Sequence, residues 1–313
     1  MVSYPLQWCI LDWITKHHHL IMKTKSGQAN LILLITAVIW GGGFVAQRLG
    51  MQQLGPYLFN GFRFLIGAIT LLPVVLVQKR KVASQAGSLK TTLAIGAAAG
   101  IFLFFGATFQ QLGLVYTTAG KAGFITGLYV IIVPLLGMFW GDRAPIFTWL
   151  GAILAVVGLY FLSTTRGLVF APGDGFVLIG ACFWAMHVQF IARFSPRVDP
   201  IRLSLVQALF TSLLSFGVAF FAEEFVLDRV LSAALPILYG GVISIGIAYT
   251  LQVIGQQYAK PTPAAIILSL ESVFAVFWGW LILSEAITAR ILLGGSLMLA
   301  GMVVSQLRRN HAG

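Results

Sequence analysis

The sequence predicts an all-α polytopic membrane protein of ten transmembrane helices in two inverted five-helix repeats. Three observations predict it: too few charges to cover a water-facing surface, ten apolar stretches long enough to cross a bilayer, and residues that recur at a nearly fixed offset. Of 313 residues, 58% are hydrophobic and 9% charged, and mean hydropathy is +0.92. A soluble domain carries about 25% charged residues, so a soluble globular protein is excluded. A formal net charge of +11 would suggest nucleic acid in a soluble chain. In a multispan chain it follows from basic residues retained in cytoplasmic loops, and no nucleic-acid partner is expected.

About 20 apolar residues, at 1.5 Å each, cross a hydrocarbon core roughly 30 Å thick. That ruler places spans near 29–48, 57–77, 92–113, 119–140, 145–164, 174–193, 201–221, 233–256, 262–283 and 289–307. The loops between them leave no room for an extramembrane catalytic domain. With the N-terminus inside, most of the 20 Lys and Arg fall on the cytoplasmic side, including Lys79, Arg80, Lys81, Arg193, Arg197 and Arg202. Both termini are therefore expected in the cytoplasm.

Residues 1–28 read as a leader of different character. WCILDWITKHHHLIM is too short to span and carries Asp12, Lys16 and His17 to His19. It is either a short interfacial helix or untranslated, with Met22-Lys-Thr-Lys as the start; the second is the expectation. The three His are then no metal site. Cys9 and Cys182 lie far apart and imply neither a disulfide nor a metal centre. No cofactor is expected.

The halves, 29–164 and 174–307, resemble each other. Trp40 to Arg48 (WGGGFVAQR) recurs as Trp184 to Arg193 (WAMHVQFIAR), and Arg63 corresponds to Gln207 at an offset of 144. Asp142, Gly151 and Gly158 recur as Glu285, Gly294 and Gly301 at an offset of 143. Five spans is an odd number, so the second copy enters the membrane from the opposite side. Such repeats place a site near the midplane and suit alternating access, although duplication also makes a stable bundle.

Several residues are candidates for that site. Ionisable groups within the bilayer cost about 2.5–3.5 kcal/mol each on insertion scales and call for a reason. Glu271 sits ten residues beyond Pro261, about 15 Å along the ninth helix. It is read either as a proton-coupling group, exchanging a proton as its surroundings alternate between wet and dry, or as one half of a packing ion pair with Arg63. Arg63, permanently charged, is an anchor or a substrate contact. Lys121 either projects into a cavity or snorkels to the interface. His187 is read first as a packing residue. Trp40 and Trp184 can stack on a solute, and Gln47, Gln110, Gln111, Gln189 and Gln252 offer amide hydrogen bonds or interhelical glue.

QQLGLVYTTAGKAGFITGLYVIIVPLLG (Gln110–Gly137) and PTPAAIILSLESVFAVFWGWLILSE (Pro261–Glu285) resemble the two EamA-type repeats of the drug/metabolite transporter superfamily. The resemblance spans residues 29–307. It implies two inverted five-helix repeats, a bacterial inner-membrane location and export of a small molecule. Where that family usually has Glu-Pro in the ninth span, this chain has Glu271-Ser272. Without the proline, the usual physical reason for a broken ninth helix is missing. Pro134 in the fourth span predicts a kink there.

The expected function is secondary transport of a small metabolite, amino acid or drug, exported with a proton or by exchange. No Gly-x4-Gly-Lys-Ser/Thr motif is present to use ATP. A zwitterion fits Lys121 or Arg63 at one end and Glu271 at the other. The expected partners are that solute and the lipid bilayer, with a homodimer left open. The alternative class, an intramembrane enzyme or lipid-handling protein, lacks a nucleophile or ligand set at fixed spacing.

Overall fold

The computed structural model describes residues 26–77, 88–116, 119–163, 172–283 and 287–306. Residues 1–25 of the leader, including His17 to His19, and Glu285 lie outside the described residues, while 26–28 belong to the first helix rather than to a separate leader. Among the described residues the regular structure is entirely helical. The first half comprises α1 (Ser26–Gly50), α2 (Pro56–Val77), α3 (Leu89–Tyr116), α4 (Ala119–Gly127), α5 (Tyr129–Phe139) and α6 (Ile146–Ser163). The second half begins with α7 (Pro172–Phe194) and, after a 3-10 turn, α8 (Pro200–Ala222). It continues through α9 (Leu227–Ser232), α10 (Ala234–Leu238), a π-helical segment (Tyr239–Tyr249) and α11 (Thr250–Gln256). It ends with α12 (Pro261–Leu268), α13 (Glu271–Leu283) and α14 (Ala289–Gln306).

Seven of the helical stretches are long and apolar enough to cross a membrane, and shorter apolar helices cover 125–139, 146–161 and 289–305. The shorter three fall on the expected fourth, fifth and tenth spans. The surface is that of a chain dissolved in lipid. Leu76, Phe220, Phe221 and Leu235 are each more than 70% exposed, while Gln111, His187, Gln207 and Thr211 are fully or almost fully buried. Water would penalise so many exposed large apolar side chains. Hydrocarbon instead drives the polar groups inward to find hydrogen bonds.

The helix packing has two-fold character. α3 packs on α7 as α11 and the π-helical segment pack on α1; α3 packs on α8 as the π-helical segment packs on α2; α5 packs on α7 as α13 packs on α1. Each pairing becomes its counterpart when every helix is exchanged for its repeat equivalent. The remaining large contacts, α6 with α14 and α2 with α8, join equivalent helices directly.

Those two pairs run antiparallel. Gly151 of α6 faces Gly301 of α14, and Gly158 faces Gly294, so numbering rises along one helix as it falls along the other. Along α2 and α8, Ser212 Oγ donates to the Gly61 carbonyl at 2.8 Å. The Glu223 carboxylate, at the end of α8, accepts from the Tyr57 and Leu58 N–H groups at 2.9 and 2.7 Å. It caps the first turn of α2, where the helix dipole favours an anion.

The glycine crossing permits backbone contact. A Cβ at Gly151 would lie 2.5 Å from the Gly301 carbonyl oxygen, and one at Gly301 equally close to that of Gly151. Gly151→Ala is therefore expected to destabilise the protein by about 1–3 kcal/mol through overpacking. Thermal unfolding in detergent measures it, and an unchanged midpoint would contradict the close crossing.

Two helix breaks differ from the sequence expectation. The fourth span is interrupted at Leu128, ahead of Pro134, which lies inside α5. There the Leu128 and Ile131 N–H groups bond to carbonyls three residues back, tightening the turn. The ninth span is broken at Ser269–Leu270 although it has no Glu-Pro. Ser269 Oγ donates to the Ile266 carbonyl at 2.9 Å, and Leu270 N–H reaches Ile267 rather than the residue four back. A serine back-bond thus accompanies a break that elsewhere follows from a proline. The two breaks fall within about two residues of repeat-equivalent positions.

Candidate functional site

The breaks bring polar side chains to the middle of the bundle. Tyr129 is the first residue of α5 and Glu271 the first of α13. Both face a cavity of about 540 Å³, counting its open mouth. A carboxylate in the first turn of a helix is favoured by the dipole, which offsets part of the cost of burying it. α1 contributes Trp40, Phe44 and Gln47, α2 contributes Arg63, and α3 contributes Gln110. Thr126 comes from α4, and Trp184 and Val188 come from α7. Ser244 and Tyr249 line it from the π-helical segment, Gln252 from α11 and Leu268 from α12. Neither α6 nor α14 reaches it.

The walls are tied by hydrogen bonds that follow the two-fold arrangement. Trp184 Nε1 donates to Gln110 Oε1 at 2.9 Å, across α7 and α3. Its repeat partner Trp40 donates from Nε1 to the Ser244 carbonyl at 3.4 Å, across α1 and the π-helical segment. Gln110 reaches Gln47 at 3.5 Å. Tyr249 stands at the centre of the aromatic wall. Its ring lies 4.6 Å from that of Trp40, 6.2 Å from those of Phe64 and Trp184, and 6.3 Å from that of His187.

Arg63 and Glu271 face the cavity from different helices. The packing ion pair considered from sequence is not formed between them: among the described residues, the ion pair seen is Arg193 with Asp142. Arg63 Nε donates instead to Asn60 Oδ1 at 2.9 Å, one turn back on α2. Its guanidinium lies over the rings of Phe59 and Phe64, with centroids at 5.6 and 5.2 Å. Quadrupole attraction from two rings helps to hold a cation in so dry a place. The remaining guanidinium N–H groups are left for the cavity. Tyr249 feels the charges of both Arg63 and Glu271, and Tyr129 feels that of Glu271.

Of the residues singled out by sequence, Glu271, Arg63, Trp40, Trp184, Gln47, Gln110 and Gln252 therefore share one chamber. Gln111, Gln189 and His187 do not line it. Gln189 donates from Nε2 to the Val133 carbonyl at 2.6 Å and accepts from Arg193, which also pairs with Asp142, tying α7 to the end of α5. Gln111 is wholly buried with neither amide atom partnered. His187 is wholly buried and bonds Gln207 at 3.1 Å. Lys121 lies in α4, and its side chain is outside the described residues.

Sequence reasoning missed Tyr129, Tyr249, Thr126 and Ser244. The available signal was a lone phenol or hydroxyl in an otherwise apolar span. Charges, indoles and amides drew attention, while phenols and hydroxyls in hydrocarbon are also costly enough to need a reason.

Among the described residues the arrangement offers one cation and one carboxylate, unpaired with each other, among amides and aromatic faces. It can hold a solute carrying both charges and an apolar body. Comparison with known proteins agrees with this architecture. The chain matches the EamA-like transporter family twice, over residues 27–164 and 171–306. An uncharacterized transporter of Archaeoglobus fulgidus is 33% identical over 282 residues, covering 90% of this chain and 86% of the relative. The uncharacterized transporter YoaV of Bacillus subtilis is 24% identical, covering 87% of this chain and 94% of its own length. A solved crystal structure superimposes with a TM-score of 0.76 at 22% identity, covering 91% of this chain and 99% of that one, which shows a shared fold. Its double match covers nearly all of the described residues, and the chain belongs to the EamA-like transporter family of multi-pass membrane proteins.

Proposed function

We propose that this protein is a secondary transporter that exports a small zwitterionic metabolite, such as an amino acid or a drug of similar charge pattern, across the bacterial inner membrane by alternating access. Arg63 takes the anionic end of the solute and Glu271 the cationic end, with proton exchange at Glu271 or solute exchange as the driving step. The observation that carries the reading is that these two charges face one chamber without pairing with each other. Two opposite charges left separate in a low-dielectric site form a receptor for a ligand that completes both.

The antiparallel crossing of α6 with α14 and of α2 with α8 supports oppositely inserted halves. The three shorter helices then complete ten spans, with both termini in the cytoplasm. Transport follows from the chamber being opened to each side in turn.

Proteoliposome counterflow tests the reading. Vesicles loaded with a mixture of unlabelled amino acids are expected to accumulate a labelled amino acid transiently, above the level of protein-free vesicles. Absence of counterflow for every amino acid would remove the zwitterion assignment. Turnover of lipid or peptide without counterflow would favour the enzyme class instead.

A further inference from the structure

Buried polar side chains with unpartnered atoms also occur on α7, α8 and α11, beside the chamber. His187 Nε2 meets Gln207 Oε1 at 3.1 Å. Since that oxygen only accepts, His187 donates from Nε2, and its Nδ1 is left a bare acceptor without a partner. Gln207 Nε2, Ser204 Oγ and Gln252 Oε1 are also buried and unpartnered. All four residues are no more than 1% exposed. Ser204 and Gln207 are three residues apart on α8, and so share a face. A buried polar group without a hydrogen bond costs about 1–3 kcal/mol. Four in one region mark a place that is occupied at some stage of the protein's work.

The repeat shows what that place corresponds to. At the offset of 144, Asn60 maps to Ser204 and Arg63 to Gln207. Arg63 faces the chamber from α2, while Asn60, wholly buried one turn back, accepts from its Nε and keeps Nδ2 unpartnered. Their counterparts on α8 are shut away above an apolar plug of Ile95, Ile191, Leu203 and Val253. Gln252 lines the chamber and belongs to the unpartnered set, so it bridges the two.

We propose that Ser204, Gln207 and His187 form a second half-site, the counterpart of the Asn60–Arg63 pair, closed in this conformation and opened to the cytoplasm when the plug parts. It takes the polar end of the solute by uncharged hydrogen bonds, where Arg63 takes it by charge. This rests on the alternating-access reading above, and deepens it by assigning the lining of the inward-facing state. His187 is thereby a binding group rather than a packing residue.

Single cysteines at Asn60, Ser204 and Val130, in a chain carrying Cys9→Ala and Cys182→Ala, test the proposal. Each is exposed to a membrane-impermeant methanethiosulfonate ammonium reagent from one side of sealed vesicles and then the other. Val130 is fully buried against Ala152, Ala155 and Ile266 and serves as the inaccessible reference. Ser204→Cys is expected to react from the cytoplasmic side at least about tenfold faster than Val130→Cys, because transient opening exposes it. Asn60→Cys is expected to react only from the opposite side. If Asn60→Cys reacts while Ser204→Cys matches Val130→Cys, or reacts from the same side as Asn60→Cys, the half-site is overturned and the carrier reading stands. If neither reacts from either side, the carrier reading itself fails.

Discussion

Glu271→Gln is expected to abolish proton-driven accumulation while leaving the protein folded and solute exchange measurable at raised solute concentration, since the cationic end of the solute loses its charged partner. The substitution keeps the volume and one acceptor oxygen at the first residue of α13, and removes only the capacity to carry charge. Among the described residues Glu271 pairs with no cation, so no buried ion pair between them is broken. Breaking such a pair costs about 3–5 kcal/mol by stranding the other charge. Without that cost, a change of about 1 kcal/mol is expected, a shift of roughly 2–4 °C in the thermal midpoint. Counterflow should persist and lose its dependence on pH, because the group that exchanges protons is gone. Uphill transport driven by an imposed pH gradient should fall to the level of protein-free vesicles. Retention of that uphill transport would end the coupling role. A midpoint lower by 10 °C or more, about 3 kcal/mol on the same scale, would return Glu271 to a structural part.

Arg63→Gln is expected to weaken binding of a zwitterion selectively. The substitution installs at position 63 the amide that the second half carries at Gln207, so the helix has a precedent for it in its own repeat. Losing a hydrogen bond to a charged group removes about 1.5–3 kcal/mol, which is roughly a 10- to 150-fold rise in the half-saturating concentration. An amine analogue without the carboxylate makes no such contact and should bind the variant and the parent alike. Counterflow competition measures both. An equal loss for both ligands would show that Arg63 acts through its stacking on Phe59 and Phe64. In that case the guanidinium holds the wall and does not touch the solute.

Much of this architecture was legible because it depends on quantities summed along the chain. Mean hydropathy and charge fraction identify the solvent, and stretches of about 20 apolar residues give the spans. Gly151, Gly158, Gly294 and Gly301 were noticed as a repeat, and they turned out to be the two faces of one antiparallel crossing. The break in the ninth span was not legible. Proline is the familiar helix breaker, whereas here Ser269 donates its hydroxyl to a carbonyl within its own turn. Pro134 drew attention to the fourth span, but the interruption falls at Leu128.

The site was legible in part. Glu271 and Arg63 stood out because charge in hydrocarbon is expensive. Their relation was not legible, since the sequence places them in different helices without saying which way each faces, and a coupling carboxylate and an ion pair both stay open. Gln189 and Gln110 look alike as amides in apolar spans. One clamps α7 to α5 through Val133 and Arg193, and the other carries the Trp184 indole at the chamber wall.

The sequence by itself determined that this chain lives in lipid and that its halves are copies, and its expectation of five spans per copy, an odd number, turns the second copy over as a matter of counting. These are consequences of composition, length and parity, none of which needs a contact. Only the tertiary structure decided that Trp40, Arg63, Tyr249 and Glu271 share a chamber while Gln207 and Ser204 are closed away. Which side chains meet depends on the rotation of each helix about its axis and on where the broken helices stop. Those are set by packing between segments far apart in the chain, and no local pattern of residues contains them.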